Sequence, residues 1–422
     1  MEKTPLCIAK VMNSLMDNMY VANVKNRLRA LKTPSIPDQT RWIWELIQNA
    51  KDSIVNDPDR KEVCIEINAN DELLTFRHNG SPFTGKAMCA LLYKYSDEKE
   101  SNPDSTGCYG TGFMTSLVLN RIVKVTTDLY EEDPNDPSQK HIVGFSATMH
   151  REGLTKDDLL QGLEEMRKSF DNTVKPDGHT TFEYKLYADQ SRISRDRGFK
   201  SYQECGAQTL IFAPTIKSIL FQCKEKVLKI KREPEEPLDQ GLSLHPFEIK
   251  TESNTFKRQF IVVSYCEHNE ELSNRMKCDR FLRINVALEV DDKFNTIVKP
   301  NCTCLYCTLP LIGSEEHQLP FILNSPDFEP DSERQSIILF GSDTEEHVTE
   351  KEQRIIITEA GINRIILKQG IKMFTRILTF LINNKGGNYH YFTNRLLSVP
   401  NIQNFDPEWY QLLFIQALHY HI

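Results

Sequence analysis

Helical and extended hydrophobic patterns alternate along the chain and predict a mixed fold. Apolar residues recur at helical spacing in 1–33 and in WIWELIQNAKD (42–52), whereas VCIEINA (63–69) and ELLTFRHN (72–79) alternate as paired strands do. Later elements are a helix over 84–93, a helix from Gly112 to Leu119, strands RIVKVTTDLY and HIVGFSATM around a surface loop EEDPNDPSQ, a helix over 155–170 and a strand HTTFEYKLY (179–187). We therefore predict an α+β fold.

A second region begins near residue 205 with AQTLIFAPTIKSILF. Strands FKRQFIVVSYC and FLRINVALEV follow, and the pattern is helical from about residue 350 onward. The predicted segments are a helical N-terminal segment (1–40), a first domain (41–204), a middle domain (205–345) with a charged, proline-bearing loop over 229–241, and a helical C-terminal region (346–422).

One predicted helix carries an unusual polar face. Glu45, Asn49 and Asp52 fall at i, i+4 and i+7, so two carboxylates and one carboxamide share a side of the helix. Pro34 and Pro37 precede this helix, and Asp38 or Thr40 is positioned to cap it. An amphipathic helix with an acidic, solvated side is the simpler alternative.

A glycine-rich stretch follows at STGCYGTGF (105–113), after the turn signal in LLTFRHNGSPF (73–83). Backbone N–H groups of such a stretch, opening a helix, bind phosphates well. The preceding residues 94–109 are polar and without periodicity, which is typical of an idle loop or of a lid over a ligand.

Taken in order, these motifs resemble the GHKL superfamily, which comprises gyrase B, the heat-shock chaperone ATPases, histidine kinases and MutL. The segments LIQNAKD, HNGSPF and YGTGF are most similar to those of the chaperone-like and sacsin-like branch. The resemblance implies a Bergerat-type α/β sandwich that binds ATP and Mg²⁺, followed by a transducer-like α/β middle domain. It also implies that the N-terminal segment packs on the nucleotide domain or swaps across it, although an ordinary first core helix is an equal alternative.

The resemblance also assigns roles to residues. Glu45 is expected to orient or deprotonate the attacking water, Asn49 to supply an oxygen to Mg²⁺, and Asp52 to line the pocket near the sugar or base. The remaining nucleotide contacts are expected from His78, Asn79, Gly80, Gly107, Tyr109, Gly110, Thr111, Gly112 and Thr180, with Thr181 as the alternative to Thr180 and Phe113 packing the lid hinge.

The chain departs from the family at His78, where an aspartate usually accepts from the adenine amino group. A neutral histidine can accept through one ring nitrogen, whereas a protonated one cannot. The Asn79 carboxamide is the alternative acceptor, and His78 as a plain strand-end residue is the other interpretation.

In the family, a basic residue of the middle domain reaches the terminal phosphate. Arg334, in PDSERQS, is the position that we carry over, with Lys217 as a second choice. A surface ion pair is the alternative for Arg334.

The composition limits which classes of binding partner are expected. Lys+Arg 51 against Asp+Glu 59 gives a net charge of −8, so nucleic-acid binding is not indicated. No apolar run approaches the roughly 18 residues of a membrane span, and we expect a soluble, cytoplasmic protein. The eleven cysteines predict reduced thiols, with a zinc site at Cys302, Cys304 and Cys307 as the minor alternative.

Three function classes follow. An ATP-driven conformational switch, chaperone-like or an effector in a stress or defence assembly, fits Glu45 and a transducer-like domain, with a protein partner or a nucleotide-dependent homodimer. A nucleotide-binding scaffold without turnover fits the altered His78. A nucleic-acid-remodelling ATPase of the gyrase or MutL kind would be expected to carry a basic DNA-binding surface or a cleavage domain, and neither is evident in the sequence. A histidine kinase is disfavoured, because the residues before Glu45 leave little room for a phosphoacceptor helical hairpin.

Overall fold

Contacts within the computed structural model divide the chain into two units. The first comprises Met1–Gln203 and Thr215–Lys229, and the second Glu204–Pro214 and Ile230–Ile422. The structure describes residues 6–55, 57–93, 112–133, 136–297, 302–331, 334–349, 352–384 and 407–416. Each unit combines a β-sheet with helices, so the chain is a mixed α/β protein.

The described helices lie between and after the strands of both units. They are α1 (Leu6–Ala30), α2 (Ile36–Asp52), α3 (Gly85–Tyr93), α4 (Gly112–Thr115), α5 (Lys156–Lys168), α6 (Asp189–Phe212), α7 (Glu270–Met276), α8 (Glu359–Asn384) and α9 (Pro407–Trp409), with a π-helix at Tyr410–Ile415. Short 3₁₀ turns occur at Ser116–Val118, Asp239–Gly241 and Ser314–His317.

The described strands are β1 (Val63–Ala69), β2 (Leu73–His78), β3 (Phe83–Thr84), β4 (Ile122–Asp133), β5 (Asp136–His150), β6 (Thr180–Lys185), β7 (Ile216–Cys223), β8 (Lys226–Arg232), β9 (Glu236–Leu238), β10 (Leu242–Thr251), β11 (Thr255–His268), β12 (Phe281–Val290), β13 (Leu305–Cys307), β14 (Leu309–Pro310), β15 (Ile322–Asn324), β16 (Thr344–Thr349) and β17 (Glu352–Ile357).

The sheet of the first unit has the order β7-β1-β2-β6-β4, and β4 also pairs with β3 and β5. The pairs β1–β2, β2–β6 and β6–β4 are antiparallel, whereas β7 runs parallel to β1. The predicted phase of HTTFEYKLY is confirmed, because Thr180, Phe182, Tyr184 and Leu186 are all buried. This alternation points Thr180 to the packed face of the sheet and Thr181 to the other.

Helix α2 is held in place by its caps and by two tryptophans. Ser35, rather than Asp38 or Thr40, is the N-cap, and Asp38 completes a capping box with it. The indole N–H of Trp42 donates to Ser194 O at 2.8 Å, and that of Trp44 donates to Ser201 Oγ at 2.9 Å. Both indoles are buried against α6, so the rotation of α2 about its own axis is fixed.

Helix α1 belongs to the first unit and packs within it. Tyr20, Val24 and Leu28 are buried, and the guanidinium of Arg27 donates to Asp38 Oδ1 at 3.0 Å and to Thr115 Oγ1 at 3.1 Å. The structure therefore places α1 as a core helix that joins the start of α2 to α4.

The second unit has its own hydrophobic core and its own run of paired strands. Its strand order is β14-β13-β15-β12-β11-β10, with β9 on β10, and α8 packs against β11 and β12. Phe321 and Phe374 stack with their ring centroids 4.6 Å apart inside this core. The strands β16 and β17 form a separate two-stranded ribbon.

Three predicted loops or helices have another structure. The predicted loop EEDPNDPSQ is largely strand, because β4 and β5 extend into it and pair as far as Asp133 and Asp136, with a register shift after Glu132. The predicted loop over 229–241 contains the end of β8 and all of β9, and the predicted helical region from 346 begins with the β16–β17 ribbon. In each case the strand carries several charged residues, so it does not show the apolar alternation by which a strand is recognised in a sequence.

Candidate functional site

Four residues form a partly exposed line along α2, and the residues between them are buried. Arg41, Glu45, Asn49 and Asp52 have intermediate exposure, whereas every other residue from Trp42 to Lys51 is buried. We call these four residues the polar stripe. The predicted polar face therefore exists, and it is bordered by core rather than by open solvent.

The carboxylate of Glu45 is held on two sides. Arg41 Nη2 donates to Glu45 Oε1 at 3.0 Å, and both side chains are largely covered, with 13% and 14% of their surfaces exposed. On the other side, a Cβ added at Gly112 would lie 2.1 Å from Glu45 Oε2, so only glycine lets this backbone approach so closely. The structure thus brings two separate sequence motifs together at one carboxylate.

Asp52, at the end of the polar stripe, forms an ion pair with its neighbour in sequence. Its Oδ1 lies 2.9 Å from Nζ of Lys51, and the Asp52 side chain is only 6% exposed. The lysine thus balances the charge of the second carboxylate, which lies deeper than that of Glu45.

The end of β2 lies beside the end of α2. A Cβ added at Gly80 would stand 2.0 Å from Ser53 Oγ, and Ser53 caps the C-terminus of α2. His78 is 3% exposed, and its Nδ1 accepts the N–H of Gly80 at 3.1 Å. Burial, with a smaller effect from the charge of His179, lowers the pKa of His78 to about 3.

Asn79 has a structural partner for its carboxamide. Its Oδ1 accepts the N–H of Cys64 at 2.7 Å, which closes the β1–β2 pair, and its own carbonyl accepts from Arg60 Nη1 at 2.7 Å. One lone pair of this carboxamide oxygen is therefore used by the sheet, and the role of Asn79 as a base acceptor stays a prediction.

Thr180 is the direct cross-strand partner of His78. Its Oγ1 lies 2.6 Å from Thr127 Oγ1, and the residue is 2% exposed. Thr181, the alternative, pairs with Arg77 and is less buried. Of the two threonines, the structure places Thr180 beside the packed end of β2.

Gly107, Tyr109, Gly110 and Thr111 lie outside the described residues. Gly112 opens α4, and the ring of Phe113 packs 5.3 Å from that of Phe182. Arg151, which the sequence analysis did not single out, is 1% exposed and lies 5.9 Å above the Phe113 ring. Its guanidinium also donates to the carbonyls of Leu91 and Leu92, at the end of α3.

The two candidate basic residues differ in their surroundings. Lys217 Nζ forms an exposed ion pair with Glu62 at 2.8 Å, as a surface lysine does. Arg334 belongs to the second unit, has a positive φ of 50° and donates its backbone N–H to Asp331 O at 2.9 Å. The phosphate-sensing role of Arg334 stays a prediction.

Cys304 and Cys307 of NCTCLYC have different partners. Cys304 donates to Ser314 O at 2.9 Å, while Cys307 lies 3.8 Å from Pro326 O. Burial raises the pKa of Cys304 to about 12, so its thiol is protonated. Among the described residues, no group of three or more histidine, cysteine or acidic side chains is arranged to hold a metal.

Comparison of the chain with protein-family models and with curated proteins finds no match. Across the described part of the chain, no helix combines the length and the apolar character needed to span a bilayer. The motifs and the geometry of the first unit are therefore the features that indicate a function.

Proposed function

We propose that the first unit is a Bergerat-type domain that binds a magnesium–nucleoside triphosphate, identified by the resemblance as ATP, and hydrolyses its terminal phosphoanhydride bond. The observation that carries the proposal is the contact of Gly112 with the Glu45 carboxylate. A glycine at a helix start provides close backbone N–H groups for phosphate, and the carboxylate beside it can act on a water molecule.

The polar stripe supplies the remaining chemistry. Glu45 would accept a proton from the attacking water as the water oxygen bonds to the terminal phosphorus and the bridging oxygen leaves with ADP. Asn49 would offer one side-chain oxygen to Mg²⁺, which prefers to keep several waters and phosphate oxygens as its other ligands.

The Arg41–Glu45 ion pair reduces the net negative charge of the proposed phosphate site. With a neutralising guanidinium 3.0 Å away, the carboxylate repels an approaching triphosphate less than a lone one would. The same pair favours a second candidate function, a nucleotide-binding scaffold without turnover, because a carboxylate engaged by Arg41 is less available to water.

The biological role that we propose is a nucleotide-dependent conformational switch, chaperone-like or an effector in a stress or defence assembly, working with a protein partner or as a homodimer. Support comes from the motif order and from a second unit with its own core.

A thermal-shift titration tests nucleotide binding. Saturating ligand at 100 times Kd stabilises a folded protein by about 2.7 kcal/mol, so Mg–ATP should raise Tm measurably. Steady phosphate release would favour the switch, whereas a Tm shift without release would favour the scaffold. A folded protein whose Tm is unchanged in millimolar nucleotide would exclude both.

A further inference from the structure

A short segment of the second unit is attached by two adjacent aromatic residues. Residues 407–416 comprise the helical turn α9 and the π-helix that follows it. Within this segment Trp409 is 7% exposed and Tyr410 is completely buried. The other side chains that the structure describes there are exposed, namely Pro407, Glu408, Gln411, Leu412 and Gln416. Among the described side chains, the aromatic pair therefore attaches the segment to the unit, and we call Trp409 and Tyr410 the aromatic anchor.

Tyr410 packs on the 3₁₀ turn Ser314–His317. Its hydroxyl donates to the carbonyl oxygen of His317 at 3.2 Å, and the ring centroids of the two residues lie 6.2 Å apart. Burial raises the pKa of Tyr410 well above its ordinary value, so the hydroxyl stays protonated and remains a donor. This position therefore suits a phenol, which fills the space with its ring and satisfies the carbonyl with its hydroxyl.

Trp409 lies against two cations of α8. The guanidinium of Arg364 is 5.2 Å from the ring centroid, and the ammonium group of Lys368 is 5.9 Å from it. Cations at this distance are attracted to the electron-rich face of an indole. Asp406 and Glu408 precede the ring in the sequence, so the segment that carries it is acidic. The two cations and the acidic segment are complementary in charge.

The residues that receive the anchor are held by other parts of the second unit. Nε2 of His317 lies 2.8 Å from Ser336 Oγ. Arg364 donates to Asp343 Oδ1 at 2.8 Å and to the carbonyl of Leu339 at 2.7 Å. None of these three partners belongs to residues 407–416. The surface that receives the anchor is therefore preorganised, and it keeps these contacts when the anchor leaves.

We propose that the aromatic anchor is a replaceable occupant of a peptide-binding site on the second unit, and that this site takes an acidic segment with adjacent Trp and Tyr residues from a partner protein. The site consists of His317, Arg364 and Lys368. In the chain alone the anchor fills the site and blocks it. A tethered segment has an effective concentration of roughly millimolar, so a partner segment must bind tightly enough to displace it.

Binding of a fluorescein-labelled peptide of residues 405–418, FDPEWYQLLFIQAL, to the full chain tests the proposal. The double variant Trp409→Ala/Tyr410→Ala has an empty site and should bind the peptide about tenfold or more tightly than wild type, whose own anchor competes. Fluorescence anisotropy measures both affinities. A folded double variant that binds the peptide no more tightly than wild type would overturn the proposal.

Folding and self-association of the double variant are the next two readouts. Circular dichroism should show that it remains folded, since the anchor is an occupant of the site. A double variant that does not fold would overturn the proposal, because the anchor would then be an essential part of the core. Both proteins should be monomeric in sedimentation velocity. A wild-type dimer that the double variant does not form would identify a second copy of this chain as the occupant and overturn the assignment to a partner protein.

Variants of the peptide and of the site test the chemistry. Alanine at both aromatic positions of the peptide should abolish binding, and lysine in place of Asp406 and Glu408 should weaken it about threefold or more at low salt. In the double variant, Lys368→Ala should weaken peptide binding about two- to fivefold through the lost cation–π contact. Lys372→Ala, at an exposed lysine one turn along α8, is the matched control and should change it less. Equal affinities of the native and charge-reversed peptides, or equal effects of the two lysine substitutions, would overturn the proposed recognition.

Discussion

Gly112 lies directly against Glu45, and a Cβ at Gly112 would stand 2.1 Å from Glu45 Oε2. The atom that it would strike is the end of a flexible side chain, so the protein can adjust by rotating the carboxylate away. The contact therefore contributes little to the stability of the fold, and its main effect is to set the orientation of the Glu45 carboxylate.

Gly112→Ala should remain folded and lose turnover by about 100-fold or more, since a displaced general base no longer reaches its water. Tm and phosphate release measure the two effects. Gly85→Ala is the matched control, because Gly85 also opens a helix and its Cβ would have no atom within 4 Å. Wild-type turnover in folded Gly112→Ala would show that this contact is not part of a catalytic site.

Substitutions at Glu45 and Asn49 should separate the loss of hydrolysis from the loss of nucleotide binding. Glu45→Gln is expected to bind Mg–nucleotide and fail to release phosphate, whereas Asn49→Ala should weaken the binding itself. Isothermal titration and single-turnover phosphate release measure the two quantities. Glu62→Gln, which alters an exposed acidic residue of the same unit, should change neither. Equal turnover in Glu45→Gln and wild type would remove Glu45 from the mechanism.

Arg334→Ala should leave nucleotide affinity nearly unchanged and lower turnover by about 10- to 1000-fold if the guanidinium stabilises phosphate charge as an arginine finger does. The control is Lys250→Ala, because Lys250 is an exposed basic residue of the same unit as Arg334. Comparable turnover in both variants and in wild type would return Arg334 to a surface role.

Local patterns made much of the first unit predictable. The α2 face and the phase of β6 depend on residues within one helix or strand, and both are confirmed by the burial of their neighbours. The contact of Gly112 with Glu45 followed only from the order of the motifs, since no local rule joins residues 67 positions apart.

Pairing between strands that are distant in the sequence explains which parts of the fold were not predicted. Residues 215–229 group with the first unit because β7 pairs in parallel with β1, more than 140 residues earlier. At the acidic end of β4, His141 faces Glu131 across the hairpin, with Nε2 3.2 Å from Oε2. Neither partner is visible in a pattern read along one segment.

Arg151→Met should destabilise the first unit by about 2–4 kcal/mol. The substitution keeps an unbranched side chain and leaves the carbonyls of Leu91 and Leu92 without their charged donor in a buried site. Urea unfolding followed by circular dichroism measures the change. Arg192→Met, at a surface ion pair with Asp189, should cost less than about 1 kcal/mol. Similar losses in the two variants would contradict the role given to Arg151.

The buried histidines should make stability depend on pH. Burial lowers the pKa of His78 to about 3 and that of His317 to about 4, against an ordinary value of 6.5. The unfolded chain therefore binds protons that the folded chain does not. This contribution to stability is complete above pH 6.5 and is lost as pH falls from there towards the folded-state pKa values. For His78 alone, the loss between pH 7 and pH 5 is about 2 kcal/mol.

The measurement is fluorescence-detected unfolding of a Trp409→Phe background, in which the remaining tryptophans, Trp42 and Trp44, both lie on α2. His78→Asn on this background should flatten the pH dependence by the stated amount, whatever its effect on stability at pH 7. The exposed His141→Asn is the control. A pH dependence in His78→Asn equal to that of the background would show that His78 is protonated in the folded protein at pH 5. In that state Nδ1 could not accept the N–H of Gly80, so the hydrogen bond between His78 and Gly80 would be lost at that pH.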